Sequence, residues 1–248
     1  MILAVHQPHY LPWLGYFDKM RKSDVFCYLD NVQYKKNEWQ NRNRIKTHKG
    51  WQWLTVPVHY RFPQRICEVR IDNTVNWKHK HLQALRTHYG RTPYFKNTLQ
   101  MFEAVLAHNW DKLAALNIFL IEEIRHFLGL AHKTTVKASD LKLREDPTER
   151  LIDICLALGA DTYLSGPDGL KYMNPDRFTQ RGIQIRVQTF EHPHYPQRFG
   201  EFVSHLSVLD LMFNCGPDSL AVLSGIGSKN NEAFYAEDEH SGRRRPSG

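Results

Sequence analysis

The residues best suited to chemistry lie near the N-terminus, where His6 and His9 flank Gln7 and Pro8 directly after an apolar run at 2–5. An imidazole can donate a hydrogen bond to a phosphate oxygen or accept a proton as a general base. A short apolar run that stops at such a turn is typical of a buried strand in a parallel sheet. Ligands of open α/β sheets bind beyond the carboxyl ends of the strands. We therefore expect His6, Gln7 and His9 to contact a ligand.

The histidine pair has two other interpretations. One is a hydrogen-bonded core residue followed by a helix cap, which is the commoner role of a single histidine. The other is metal binding, but a spacing of three residues across a proline turn has no third ligand nearby. The sequence therefore predicts a substrate or phosphate site and no metal site at this turn.

A helix is predicted to follow this turn. Apolar residues recur every third position over 10–23, and Pro12 is acceptable in a first helical turn. The N-terminus of a helix favours phosphate, and Lys19 would add positive charge. Tyr10 and Trp13 would stack on a base or a sugar, although aromatic residues at the start of an amphipathic helix are often part of the core.

A long polar segment follows the next predicted strand, at 25–29. Arginine forks bind phosphate or carboxylate, and amide side chains suit carboxylates, amines and sugar hydroxyls. A solvated basic loop is the alternative, but loops of this length are commonly binding loops. The candidate substrate-binding residues of this segment are Asp30, Gln33, Lys36, Asn41, Arg42, Asn43 and Arg44.

A second group of candidates lies in the later part of the chain. Ser165 and Gly166 end a predicted strand at 161–164, and Tyr172 follows shortly after. The glycine allows close approach of the backbone to a ligand, and a plain structural turn is the competing interpretation. Ser207, Asp210 and Asn214, at the start of or on a predicted helix at 206–213, complete the polar set.

The order of elements predicts the fold. Strand, polar turn, helix and strand follow one another at the start of the chain, and a similar unit recurs around the strands predicted at 161–164 and 183–187. This order indicates an α/β fold with a Rossmann-like parallel sheet. Three helical segments at about 75–130 form an insert, a single domain spans 1–227, and the polar segment 228–248 is predicted to be disordered.

Composition excludes several classes of protein. The net charge of +7 suits a phosphorylated substrate as well as it suits nucleic acid, and the four widely spaced cysteines suggest neither disulfides nor zinc. The serine-hydrolase elbow, the phosphate-binding P-loop and the Gly-x-Gly-x-x-Gly turn are all absent from the sequence. The N-terminal apolar run is too short for a signal peptide or a membrane span, so we expect a cytoplasmic protein.

Four segments together resemble the WbqC-like family over roughly residues 1–216: HQPHYLPWLGYFDKM, DNVQYKKNEWQNRNRIKT, DTYLSGPDGLKYM and EFVSHLSVLDLMFNCG. The resemblance implies a role in O-antigen or other surface-polysaccharide synthesis. A more distant likeness is to the HxGH nucleotidylyltransferases and, within them, to pantothenate synthetase, which activates a carboxylate as an adenylate. Pro8 stands where that superfamily usually has glycine, and Ser228-Lys229 resembles its second phosphate motif.

These resemblances imply an amide-forming transferase or ligase that passes an activated aminoacyl or acyl group to an amino sugar, or to its nucleotide sugar. His6, His9 and Lys19 would be its catalytic residues, and ATP with Mg²⁺ would be used if activation proceeds through an adenylate. One alternative is an ATP-independent acyltransferase whose donor is a thioester or a carrier protein. Another is a non-catalytic nucleotide-sugar-binding protein. Nucleic acid is not an expected partner, because the aromatic residues do not alternate with a basic stripe.

Overall fold

The structure is a computed structural model that describes residues 1–226, so the predicted tail at 228–248 and Ser228-Lys229 lie outside the described residues. The strands are β1 (Ile2–His6), β2 (Val25–Tyr28), β3 (Arg42–Thr47), β4 (Gly50–Thr55), β5 (Val58–His59), β6 (Arg70–Ile71), β7 (Thr134–Lys137), β8 (Thr162–Ser165) and β9 (Gln184–Val187). The α-helices are α1 (Leu14–Arg21), α2 (Trp77–Tyr89), α3 (Phe95–Ala107), α4 (Leu113–Phe127), α5 (Pro147–Ala157), α6 (Pro175–Gln180), α7 (Val208–Cys215) and α8 (Ser219–Leu223).

Five strands form the central sheet in the order β7-β2-β1-β8-β9, and every neighbouring pair is parallel. The chain moves outward from β1 through β2 to β7 and then returns to the other side of β1 with β8. The order of strands therefore reverses between β1 and β8, which is where ligands of open α/β sheets bind. The predicted Rossmann-like α/β fold is confirmed.

The alternation of side chains along β1 divides the core into two layers. Ala4 packs into the larger apolar cluster, which includes residues of α1, the helical insert and α7. Leu3 and Val5 point to the smaller cluster on the other face, with residues of α5 and α6. Because both faces of the strand are covered, its sequence is a continuous apolar run and not an alternating one.

Three helices, α2, α3 and α4, occupy the region predicted as a helical insert. None of the helices in residues 1–226 combines the length and the apolar composition that a membrane span requires. A small hairpin of β3 and β4 lies apart from the main sheet.

Several predicted boundaries were wrong. The first helix begins at Leu14 and not near Tyr10, because Leu11 has a positive φ of 47° and Trp13 is the extended N-cap residue. Pro12 therefore precedes the helix and does not lie in its first turn. The segment interpreted as a long loop contains β3, and β7 was missed altogether, since its Thr-Thr-Val-Lys sequence is short and half-polar.

Candidate functional site

A cleft of about 390 Å³ opens at the carboxyl ends of β1 and β8, where the strand order reverses. It is bounded by the turn after β1, by the first turns of α1 and by the loop after β8. The polar and aromatic side chains that line it include His6, Gln7, His9, Trp13, Tyr16, Lys19, Ser165, Asp168, Tyr172 and Gln188. The structure therefore brings candidates from the first turn and from the Ser165 loop into one cleft.

The two histidine rings contact each other edge to face, with 4.7 Å between their centroids and an interplanar angle of 88°. Tyr16 packs against both rings, and its ring centroid lies 4.6 Å from that of His6 and 6.0 Å from that of His9. The Nδ1 atom of His6 lies 3.1 Å from the carbonyl oxygen of Gln7, which fixes this nitrogen as the donor. In neutral His6 the other nitrogen, Nε2, therefore carries a lone pair.

Burial keeps both imidazoles neutral at physiological pH. It lowers the pKa of His9 to about 4. Burial also lowers the pKa of His6 well below its ordinary value, with smaller contributions from His9 and from the positive charge of Lys19. In the neutral state His6 can therefore only accept a hydrogen bond from a ligand, at Nε2, whereas His9 can donate one and accept one. An anionic ligand between the rings would raise both pKa values.

Lys19 supplies the positive charge of the cleft. Its side chain is 4% exposed, and Nζ donates a hydrogen bond of 2.9 Å to the carbonyl oxygen of Val5, the residue of β1 that precedes His6. Burial lowers the pKa of Lys19 to about 8, so the ammonium group remains mostly protonated at pH 7.

The loop after β8 forms the opposite wall. Ser165 is fully buried, and its hydroxyl donates to the carbonyl oxygen of Gly166 over 2.9 Å. Gly169 packs directly on this serine, because a Cβ atom there would lie 2.0 Å from Ser165 Oγ. Tyr172 is 75% exposed at the rim of the cleft. The hydroxyl of Ser165 is thus already bonded within its own loop.

A smaller pocket of about 230 Å³ adjoins the cleft and shares two of its residues, His9 and Trp13. Its other walls are Trp39 and His205, and the indole of Trp13 stacks on His205 at 5.1 Å. The same indole covers Gly15, where an added Cβ would lie 2.3 Å from the ring. Because glycine has no side chain, position 15 leaves room for the Trp13 indole to lie between the cleft and the pocket.

The turn that carries the histidines is braced by two residues that the sequence analysis did not select. Gln40 donates a hydrogen bond of 2.7 Å to the side chain of Gln7. Asn117, fully buried on α4, donates to the carbonyl oxygens of Pro8 and Gln40 over 2.9 and 2.7 Å. Asn117 could have been found from the sequence, because it is a polar residue inside the apolar stripe of the insert helix.

Several predicted binding residues lie outside the cleft and have structural contacts. The carboxylate of Asp30 accepts hydrogen bonds from the backbone and hydroxyl of Ser139, joining the ends of β2 and β7. Asn43 donates to Leu11 O over 2.7 Å and holds the positive-φ residue at the start of the turn. Tyr10 is fully buried and donates its O–H to His81 Nδ1 over 2.8 Å.

The remaining candidates of the polar segment face other directions. Asn41 is buried and donates to Val56 O, and Lys36 is exposed on the loop. Gln33 lines a separate cleft of about 650 Å³. Arg42 and Arg44 stack on tryptophans of the β3–β4 hairpin.

The three candidates near α7 do not line the cleft. Ser207 is the N-cap of the helix, and Asn214 donates to the backbone of Asp210. The carboxylate of Asp210 is fully buried and accepts hydrogen bonds from Tyr89, Tyr195 and Gln197. Burial raises the pKa of Asp210 to about 6 despite these bonds.

Metal ligands are scarce in this cleft. Among residues 1–226, no group of three or more His, Cys, Asp or Glu side chains is placed to hold a metal ion. Asp168 is the one carboxylate among the described residues that line the cleft, and it pairs with Lys171.

Comparison with known proteins identifies relatives but no assigned activity. The chain matches the sequence model described as the WbqC-like protein family over residues 7–222. It is also 36% identical over 223 residues to the uncharacterized protein Rv1507c of Mycobacterium tuberculosis, an alignment that covers 88% of this chain and 95% of the relative. No solved structure matches the chain significantly.

Proposed function

The chain belongs to the WbqC-like protein family, and from that premise we propose that it is an amide-forming transferase or ligase of surface-polysaccharide biosynthesis. In this proposal the enzyme activates the carboxylate of an amino acid or acyl donor with ATP. It then passes the acyl group to the amine of an amino sugar.

One observation carries the proposal. Two neutral imidazoles, 4.7 Å apart between centroids, and one buried ammonium group converge at the reversal point of a parallel sheet. Preorganised donors and a positive charge stabilise the charge that develops during phosphoryl or nucleotidyl transfer. The likeness to the HxGH nucleotidylyltransferases, noted from the sequence, supports the same chemistry.

In the first step a carboxylate oxygen of the donor attacks the α-phosphorus of ATP, and pyrophosphate leaves. Lys19 and the N–H group of His9 would neutralise and orient the phosphates. His9 is suited to this role because neither of its ring nitrogens has a hydrogen-bond partner within the described residues. Either nitrogen can therefore carry the proton that is donated to a phosphate oxygen.

In the second step the amine nitrogen attacks the acyl carbon of the adenylate, loses a proton, and AMP leaves. His6 is the better base for this proton. Its Nδ1–H is held by the carbonyl oxygen of Gln7, so Nε2 carries the lone pair. The phosphate bound beside it raises its basicity.

Magnesium would enter with the triphosphate and not as a resident ion. Mg²⁺ usually binds through one or two carboxylates, phosphate oxygens and water. Asp168 lies in the cleft and is largely exposed, and it would bind such an ion in place of its ion pair with Lys171.

A second candidate, a transferase that takes its acyl group from a thioester without ATP, is favoured by one feature of the turn. Proline has no N–H, so Pro8 offers one phosphate donor fewer than glycine would. Its carbonyl oxygen is also fixed by Asn117. In this reaction His6 would deprotonate the amine directly.

The test of the proposal is carboxylate-dependent exchange of labelled pyrophosphate into ATP, with pools of amino acids and of short organic acids as donors. We expect exchange only when the correct donor is present, and a loss of at least about a hundredfold in His9→Ala, the scale typical of removing one preorganised donor. His132→Ala is the matched control, because His132 is an exposed histidine that does not line the cleft.

Absence of exchange with every donor would contradict the adenylate route. Amide formation from a simple acyl thioester and an amino sugar, abolished in His6→Ala, would then assign the second reaction. If neither pyrophosphate exchange nor amide formation is observed, both enzymatic reactions are contradicted and a binding protein remains.

A further inference from the structure

A surface beside the cleft combines tryptophan and arginine in an unusual way. We call it the tryptophan face, and it consists of Trp39, Trp51, Trp53, Arg42 and Arg44. In the β3–β4 hairpin Arg44 pairs with Trp53 and Arg42 with Thr55, so these side chains share one face of the hairpin. The opposite face carries Ile45 and Leu54, which are buried in the core.

The aromatic rings of this face contact one another and remain accessible. Trp53 lies 5.4 Å from Trp39 and 5.5 Å from Trp51, measured between centroids. Trp51 is 44% exposed and Trp39 is 37% exposed. A cluster of large exposed rings leaves a contiguous apolar patch in contact with water, and such patches commonly mark binding surfaces.

The two guanidinium groups lie among these rings, and no carboxylate of residues 1–226 forms an ion pair with either of them. Arg42 lies 4.2 Å from the Trp53 ring centroid, and Arg44 lies 5.0 Å from that of Trp51. Arg42 donates a hydrogen bond to the carbonyl oxygen of Asn37, and Arg44 donates one to the carbonyl oxygen of His205. The buried Nε atom of each has no partner within residues 1–226. The face therefore presents positive charge and aromatic surface together.

The face is continuous with the candidate site. Trp39 lines the small pocket together with His9, Trp13 and His205, and His9 and Trp13 also line the cleft. A ligand lying on the tryptophan face would therefore extend through the pocket toward the histidine pair.

We propose that the tryptophan face binds the nucleoside diphosphate part of a nucleotide sugar, and that the sugar enters the small pocket with its amine toward His6. The base would stack on Trp51 or Trp39, and Arg42 and Arg44 would bind the diphosphate. Stacking on an indole and pairing with arginine are the interactions that such a ligand requires. This inference rests on the proposed function, because it names the acceptor of the same reaction.

Calorimetric titration with UDP, GDP and dTDP tests the inference, because these probes contain the diphosphate and base without the sugar. We expect one of them to bind at submillimolar concentration. We also expect Trp51→Ala and Arg42→Gln to weaken binding at least tenfold each. Phe62→Ala and Arg61→Gln are matched controls, since both residues are exposed outside the face, and they should bind like the unmodified protein.

Three results would overturn the inference. One is no binding of any diphosphate at millimolar concentration. The second is binding that persists in both face variants and disappears in His9→Ala, which would place the nucleotide in the cleft. The third is tighter binding of a single-stranded oligonucleotide with a steep dependence on salt. Pyrophosphate exchange by the unmodified protein needs no acceptor, so it tests the proposed function independently of nucleoside diphosphate binding.

Discussion

Asn117 donates a hydrogen bond of 2.9 Å to the carbonyl oxygen of Pro8, and this bond ties the helical insert to the turn that carries both histidines. The same amide also holds the carbonyl oxygen of Gln40. The helical insert therefore packs on the sheet and also fixes the backbone geometry of the candidate site through one of its buried side chains.

Asn117→Ala should destabilise the protein and loosen this turn. The substitution leaves two buried carbonyl oxygens without their donor, which costs about 2–4 kcal/mol in the free energy of unfolding. Urea denaturation measures this change. Asn97→Ala on the neighbouring helix is the control, because Asn97 is exposed. Equal stability of the two variants would show that the bond contributes nothing.

Gly15→Ala should displace Trp13 from the boundary between the cleft and the small pocket. The added methyl group would lie 2.3 Å from the indole, and overpacking of this kind costs about 1–3 kcal/mol. We expect a lower melting temperature and a changed tryptophan fluorescence spectrum. Gly166→Ala is the matched variant, because a Cβ atom there meets nothing within 4 Å. A Gly15→Ala protein as stable as Gly166→Ala would contradict the packing argument.

Binding of a phosphate ligand should weaken as the pH rises through about 8. Lys19 is the buried cation of the cleft, its pKa is lowered to about 8, and it loses its charge above that pH. Affinity for ATP, measured between pH 6.5 and 9.5, should therefore fall about tenfold or more over this range. In Lys19→Met the affinity should be low at every pH. A flat profile in the unmodified protein would remove Lys19 from the phosphate site.

Ionisation of Asp210 should lower the free energy of unfolding as the pH rises from about 4 to about 7. Its pKa in the folded protein is raised from the ordinary 3.8 to about 6, so the folded state holds this proton more tightly than the unfolded state. The stabilising contribution is complete below pH 4 and is lost as the pH passes 6. The difference amounts to about 3 kcal/mol.

The measurement compares the free energy of unfolding of the unmodified protein and of Asp210→Asn at several pH values. The advantage of the unmodified protein should shrink by most of that amount between pH 4 and pH 7. Because other titrating groups are common to both proteins, a constant difference would mean that Asp210 does not titrate in this range.

The sheet and the first histidine turn were predictable because both are local features of the sequence. A buried parallel strand is a continuous apolar run, and β1, β2 and β8 are buried strands that each end at a polar turn. The strand β7 could not be found in this way, since its Thr-Thr-Val-Lys sequence lies at the sheet edge and is only half buried.

The candidate site was predictable only in part, because its geometry depends on contacts between distant segments. The sequence placed Ser165 at the carboxyl end of a later strand, but only the pairing of that strand with β1 in the structure brings Ser165 into the same cleft as His6. The apolar stripe of α4 makes Asn117 stand out as a polar residue, but its partner Pro8 is 109 positions away and no local pattern identifies that contact. Asn43 looked like a binding residue because amides suit polar ligands, yet its amide is used by the backbone of Leu11.

The most direct test of the account is calorimetric titration of the protein with ATP and Mg²⁺, repeated with His9→Ala and with His132→Ala. The account predicts submillimolar binding that is retained in His132→Ala and lost in His9→Ala, while the melting temperature of each variant stays close to that of the unmodified protein. Absence of ATP binding to the unmodified protein at millimolar concentration, or binding undiminished in His9→Ala, would contradict a triphosphate site between the two histidines.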